Sequence, residues 1–141
     1  MKFYEVRRDI AASPEAVWAI LTDARRLVER RLGVTRIDGE MRPGARLQIW
    51  SEASPGRAFP LRVAEFEPAR RMVWHGGMPL GLFRGVRQFN LAGKSTGSSF
   101  HMREEFSGLL LPLIWRSMPD LTASFEKFAD GVKAAAEARL Q

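Results

Sequence analysis

The chain has 141 residues, 22 Lys plus Arg against 16 Asp plus Glu, 45% apolar residues and no cysteine. That length suits one domain, spanning 1–141, with a core that needs no staples, and the missing cysteines exclude a disulfide framework, a thiolate metal site and a thiol nucleophile. The apolar share is too high for disorder, no apolar run approaches the ~20 residues of a membrane span, and charge interrupts the opening Met1-Lys2-Phe3-Tyr4-Glu5 too early for a signal peptide, so the expectation is a cytoplasmic protein without stable membrane insertion.

Residues 3–10 read as a strand, with β-formers in mixed polarity. Ser13-Pro14-Glu15 follows, a preferred N-cap with proline at the first helical position, and Val17, Trp18, Ile20 and Leu21 give the short helix an apolar side. Asp23 can cap a second short helix, Ala24 to Arg31, with Leu27 and Val28 inward and Gly33 at its end. From Val34 to Phe106 the chain reads as strands near 35–37, 46–52, 59–67, 71–75, 82–91 and 99–106. Turn signals separate them at Asp38-Gly39, Pro43-Gly44, Ser54-Pro55-Gly56, Pro68, Gly76-Gly77 and 93–99. Spacing this short predicts an antiparallel meander rather than βαβ units. The last third changes period. Met118, Leu121, Phe125, Phe128, Val132 and Ala135 are spaced as one apolar stripe of a helix. Drawn from Pro112 to about Arg139 that helix is ~42 Å long, with Pro119 as its kink or its true start. Its stripe needs one face of the sheet to cover it.

The net charge is +6. The arginines are scattered; the tightest groups, Arg25-Arg26 with Arg30-Arg31 and the pair Arg70-Arg71, read as solvated surface. There is no RNP-type run, zinc-finger spacing or aromatic-basic interleaving, so no nucleic-acid partner is expected.

Strand, two short helices, long antiparallel sheet and long C-terminal helix is an order that resembles the START/Bet v 1-like (SRPBCC) helix-grip superfamily, in particular its polyketide cyclase/dehydrase-like branch. Four stretches carry the likeness: Ile10-Ala11-Ala12-Ser13-Pro14-Glu15-Ala16-Val17-Trp18 with Leu21-Thr22-Asp23; Pro43-Gly44 before a strand; Phe66-Glu67-Pro68-Ala69-Arg70-Arg71-Met72-Val73-Trp74; and Arg103-Glu104-Glu105-Phe106-Ser107-Gly108 leading to a helix with Phe125-Glu126-Lys127-Phe128. The resemblance implies an α+β fold in which a curved antiparallel sheet wraps a long C-terminal helix. It also implies an apolar gap between them of the kind that holds small molecules. It does not choose an activity, because the superfamily contains lipid carriers, hormone receptors, aromatase/cyclases and chaperone activators.

Side chains alternate along a strand, so the larger apolar residues fix which face looks inward. Leu47, Ile49, Leu61, Val63, Met72 and Trp74 point in, leaving Gln48, Trp50, Val73 and His75 outside. Phe83, Phe89 and Leu91 bring Gly85 and Arg87 inward; Phe100, Met102 and Phe106 bring Glu104. The helix adds Leu121, Phe125 and Phe128, and Trp18 can plug one end. Arg87 and Glu104 fall on neighbouring strands in an apolar setting, where each needs a partner: an ion pair with the other, or a ligand's polar group. His75 and His101 fall outside, too isolated for a metal site, and no cofactor is implied. The loop Gly76-Gly77-Met78-Pro79-Leu80-Gly81 is either a hairpin connection or a lid.

The leading expectation is a protein that binds a small hydrophobic or aromatic molecule, for carriage, sequestration or sensing. A cyclase or dehydratase is the alternative, with titratable candidates Glu104, Tyr4 and His101 and with Arg87 in electrostatic support. A third is an interaction module working through the 25–31 helix or through Trp50, whose outward position also leaves a homodimer open.

Overall fold

Two capped helices follow the first strand because their boundaries are written in side chains. In the computed structural model, which describes residues 2–30, 32–52 and 54–138, strand β1 is Lys2–Ile10 and helix α1 is Pro14–Leu21. Ser13 Oγ accepts from the Ala16 N–H at 3.2 Å, with Pro14 in the first turn. Helix α2, Ala24–Glu29, starts in the same way, with Asp23 Oδ1 accepting from the Arg26 N–H at 3.1 Å. It ends at Arg30, before the expected Arg31, which lies outside the described residues. Gly33, at φ +96°, instead turns the chain into the next strand.

Six more strands form the meander: β2 (Val34–Asp38), β3 (Arg46–Ser51), β4 (Ser54–Glu67), β5 (Arg71–Met78), β6 (Phe83–Lys94) and β7 (Gly97–Ser107). The sheet has seven antiparallel strands in the order β1-β7-β6-β5-β4-β3-β2. Register shifts at Val34/Arg36, Ile49/Ser51 and Val63/Glu65 mark irregularities of the kind that curl a sheet.

Two hairpins are tighter than the turn residues suggest. Lys94 pairs with Gly97, so β6 and β7 join through Ser95 and Thr96 alone, and Gly93 is an ordinary strand residue. Ser51 pairs with Ser54, so residues 54–56 already run as strand. Glycine and proline mark chain reversals only where the ladder leaves their geometry unsatisfied.

The expected C-terminal helix is two helices, α3 (Leu111–Ser117) and α4 (Thr122–Ala138). Proline disfavours helical backbone in the residue before it, and Met118, preceding Pro119, is extended at ψ 140°. Asp120 Oδ1 then accepts from the Thr122 N–H at 2.9 Å as α4 begins. Arg139 lies outside the described residues. On α4, Phe125, Phe128, Ala129, Val132, Ala135 and Ala136 are buried. The helix lies along β1 and against α1. Polar contacts tie it down on the β1 side: Arg8 Nε to Asp130 Oδ1 at 2.7 Å, Lys133 Nζ to the Asp9 carbonyl at 2.7 Å, and the Ala11 N–H to Glu137 Oε2 at 2.9 Å. On the opposite side Lys127 Nζ meets Glu52 Oε2, beside the β3–β4 turn, at 2.7 Å. The curled sheet thus reaches α4 from both sides, the helix-grip α+β arrangement.

Gly131 faces the loop after α2. A Cβ there would come within 3.0 Å of Leu32 Cγ and closer still to Cδ2, and Leu32 is buried. Gly131→Ala is therefore expected to lower the melting temperature: overpacking costs about 1–3 kcal/mol, against about 1 kcal/mol of helix propensity regained. A rise in melting temperature would show that Leu32 moves aside freely.

The ties to α4 also set a pH dependence. Arg8, as a hydrogen-bond donor, holds the Asp130 carboxyl below its ordinary value; the Ala11 N–H and then Lys133 do the same for Glu137; Lys94 does so for Asp9. A carboxyl depressed on folding stabilises the protein above its unfolded pKa and loses that contribution as pH falls through the folded one. Melts from pH 7 downward are expected to stay flat until about pH 4 and then decline. Asp130→Asn should decline less steeply; an identical slope would remove Asp130 from the account.

Candidate functional site

The register lines up the inward residues of successive strands in rows. One row reads Tyr4, Glu104, Arg87, Trp74 and Val63 across β1, β7, β6, β5 and β4. The next row, toward the end of the sheet where β1 begins and β7 stops, reads Lys2, Phe106, Gly85, Gly76 and Leu61. Two adjacent glycines leave the middle of that row without side chains, directly beside Arg87 and Trp74. The missing side chain at Gly85 has a visible use: a Cβ there would lie 3.2 Å from Glu104 Oε2 and 3.6 Å from the Phe106 ring.

Arg87 Nε donates to Glu104 Oε1 at 2.5 Å, and their side chains are 22% and 16% exposed. The pair that the strand phases require is therefore formed, and each charge neutralises the other where solvent is scarce. The guanidinium carbon lies 4.8 Å from the centre of the Phe125 ring and 5.8 Å from that of Trp74, so it is held between α4 and the sheet by aromatic faces. Trp74 is 5% exposed, and its Nε1 is the one buried side-chain polar atom without a hydrogen-bond partner among the described residues. Such a group costs about 1–3 kcal/mol relative to a bonded one.

Aromatic rings close the row at the β1 side. Tyr4 stacks on Trp115 of α3 at 5.5 Å and lies 5.6 Å from Phe125; Phe106 sits 5.8 Å from Trp115 and 6.0 Å from Phe83. Lys2 reaches over Trp115 at 5.5 Å.

Of the residues expected to line a cavity, Trp18, Leu47, Ile49, Val63, Met72, Trp74, Phe89, Phe100, Met102, Phe125 and Phe128 belong to the buried core. Leu61 and Leu121 pack against it from its margin, and Phe83, Arg87 and Glu104 are half-buried. The strand phases therefore agree with burial, and the residues divide into a deep, closed part and a margin that keeps some access. Trp18 stands apart from the ion pair, its ring edge-on to Phe66 at 5.1 Å. Two broad open clefts occur, the second of which takes in Leu61, Gly76 and Phe83 beside the ion-pair row. One, of about 1010 Å³, runs from Thr22 and Arg25 across to Ile37 and Met41; the other, of about 900 Å³, runs from Gln48 past Arg62 and His75 to the turn at Pro79–Gly81. Neither is lined by α4, Arg87 or Glu104.

His101 is on the outer face, where its Nε2 lies 2.9 Å from Glu5 Oε2. That bond, with help from Arg103, holds the Glu5 carboxyl below its ordinary value despite some desolvation. His101 is therefore on the opposite side of the sheet from Arg87 and Glu104. Among the described residues no three His, Cys, Asp or Glu side chains group as a metal site. Trp50 is outward, but its ring is covered by the Arg36 guanidinium at 4.8 Å rather than bare. The loop after Gly76 is a continuation of β5 to Met78 followed by a single 3₁₀ turn at Pro79–Gly81.

The sequence places Gly85 on the inner face but leaves Lys2, Trp115 and Gly76 out of the site, and offers Tyr4 only as a titratable group. Tyr4, Val6 and Ile10 alternate, a period of two that marks β1's inner face. Trp115 lies three residues before Met118, in line with the helical stripe, but the break at Met118–Pro119 separates it from α4 and its ring stacks on Tyr4 instead.

Residues 2–137 match the family model described as polyketide cyclase / dehydrase and lipid transport. The chain belongs to that family. No curated protein sequence matches it. Among solved structures it is similar to protein MLL2253 from Mesorhizobium loti, at 17% identity and a TM-score of 0.75, over 97% of this chain and 98% of that one. It is also similar to the di-domain aromatase/cyclase StfQ of the steffimycin biosynthetic pathway, at 17% identity and a TM-score of 0.77, over 98% of this chain and 52% of that one. DynU16, from the dynemicin biosynthetic locus, matches at 20% identity and a TM-score of 0.73, over 99% and 48%. The chain spans about half the length of these last two proteins, and at such identities the likeness is one of fold.

A double-mutant cycle on Arg87 and Glu104, using alanine at each position, is expected to give a coupling of about 1–3 kcal/mol in thermal or urea unfolding. The exposed Arg25–Glu29 pair of α2 should give about 0.3–0.5 kcal/mol. Equal couplings would mean that partial burial adds nothing to the inner pair.

Proposed function

We propose that the protein binds a small apolar or aromatic molecule, lipid-like or polyketide-like, between the sheet and α4 at the row of Tyr4, Glu104, Arg87 and Trp74. The observation that carries this reading is the unpartnered Trp74 Nε1, buried beside an arginine that donates only its Nε to Glu104 among the described residues. An oxygen acceptor on a ligand would satisfy both donors, while the Gly76–Gly85 floor and the rings of Phe106, Phe125 and Trp115 suit a flat apolar body. Family membership supports the class of ligand, since the family's description joins polyketide chemistry to lipid transport.

The same geometry favours one second reading, a cyclase or dehydratase. Glu104 Oε2 takes no hydrogen bond among the described residues, so this carboxylate keeps one oxygen free to exchange a proton with a bound ligand.

A thermal-shift screen against fatty acids, flavonoids, quinones and aromatic polyketides tests the first reading. A ligand at ~100 times its Kd should add about 2.7 kcal/mol, several degrees for a domain of this size. Trp74→Phe is expected to weaken an oxygen-bearing hit up to about tenfold by titration, the worth of one lost hydrogen bond. No shift from any class would sink the reading, and unchanged affinity in Trp74→Phe would detach it from Nε1. With a hit in hand, Glu104→Gln separates the two readings: an enzyme loses turnover but keeps binding, whereas a carrier has no turnover to lose.

A further inference from the structure

The large apolar side chains that stand most exposed are Phe3, Phe59, Met78, Leu80, Leu109 and Leu113, and all of them lie toward one end of the molecule. This is the end where β5 stops, β6 begins, β7 runs into α3 and β1 starts. Leu80 is 93% exposed at the tip of the β5–β6 turn, and Leu109 is 81% exposed between β7 and α3. The two loops are held as one unit: the Leu110 N–H donates to the Leu82 carbonyl at 2.8 Å, and Gly108, at φ +120°, packs so closely on Leu82 that a Cβ would collide with its carbonyl. Leu80 itself is left-handed, at φ 61° and ψ 25°, which costs a leucine conformational energy and gains it no burial. A strained, bare leucine on a loop tied to that of Leu109, at the end that also exposes Leu113, is a surface suited to losing water to a partner.

Charge selects the partner. Arg84 is exposed between the two loops, paired by register with Gly77 and Ser107, and Arg116 is exposed on α3, one turn from Leu113. Neither arginine forms an ion pair among the described residues, in a chain of net charge +6. Leucines projecting from loop tips, with cations beside them, fit an anionic bilayer surface, whose interface takes apolar tips and whose headgroups attract arginine. No described helix is long and apolar enough to cross a membrane, so the contact is peripheral.

We propose that this end of the molecule docks reversibly on anionic lipid membranes, with Leu80, Leu109 and Leu113 entering the interface and Arg84 and Arg116 meeting lipid headgroups. The tips lie at the same end of the sheet as the Gly76–Gly85 floor, so a docked molecule would bring that part of the site to the membrane.

Vesicle co-sedimentation tests this. The protein is expected to sediment with phosphatidylcholine–phosphatidylglycerol vesicles, to bind phosphatidylcholine vesicles far less, and to release as salt rises. Leu80→Asp with Leu109→Asp should reduce partitioning about tenfold or more, since each exposed leucine contributes through its own burial. Both side chains touch solvent almost everywhere, so the variant should keep the wild-type melting temperature; Leu80→Ser with Leu109→Ser serves if it does not. Arg84→Gln with Arg116→Gln should bring anionic binding down toward the level on neutral vesicles. Absent wild-type binding, equal binding to neutral vesicles, or undiminished binding by the leucine variants would each overturn the proposal. The assay contains no small ligand, so its failure is distinct from failure of the ligand-binding reading.

Discussion

The burial of one helical stripe on the hollow side of the sheet holds the rest of this structure in place. Phe125, Phe128, Val132 and Ala135 recur at helical spacing and are almost wholly withdrawn from water. A single helix of this length cannot shelter that stripe, and a flat sheet would cover only part of it. The irregularities in β2, β3 and β4 curl the far side of the sheet toward α4, while β1 lies along its near side. Polar contacts from Arg8, Asp9, Ala11 and Glu52 fix the helix's position along its axis, a job that non-directional hydrophobic contact does poorly.

That arrangement explains why two charges can sit among aromatic rings. In the inner rows Met72, Phe89, Phe100 and Met102 leave almost no exposed surface. One row further out stands the Arg87–Glu104 pair, and in the row beyond it glycines replace side chains at two adjacent positions. A charge within an apolar wall is tolerable only when it is matched, and here the match comes from the register itself, which sets the two residues opposite each other. Gly85 gives the carboxylate its room. The buried indole N–H of Trp74 is the exception to this neutrality, which is why the functional reading rests on it.

The outer face follows different rules. Its polar and charged groups pair along and across strands, as in Glu5 with His101 and Arg103, and Arg36 with Asp38. Arginine stems and guanidinium planes also cover apolar rings: Arg36 shields Trp50 and Arg103 shields Phe3. Val73 is buried on this side yet stands outside the core cluster, so burial alone does not identify the inner face. Part of the arginine content thus works as local cover and pairing, whereas others, Arg84 and Arg116 toward the end with the exposed leucines among them, form no ion pair among the described residues.

The order of elements, the caps of α1 and α2, the antiparallel meander and the inward phase of strands β3 to β7 were all legible in the sequence, because each depends on residues close together in the chain. Ser13 and Asp23 act on N–H groups three residues away, and alternation needs only neighbours. Arg87 and Glu104 were legible as a pair for the same reason: two local phases placed both inside. The tertiary structure decided what depends on distant partners. Pro119 divides the last helix, and where α3 then lies is set by contacts with Tyr4 and Phe106, more than a hundred and about nine residues away in turn. The facing of Gly76 and Gly85 exists only through the β5–β6 ladder. The orphaned Trp74 N–H is a matter of what surrounds one atom, and the gathering of Leu80 and Leu109 at one end rests on the β6–β7 ladder and the contacts of Gly108 and Leu110 with Leu82. Local pattern fixes which way a side chain points, and only packing fixes what it meets there.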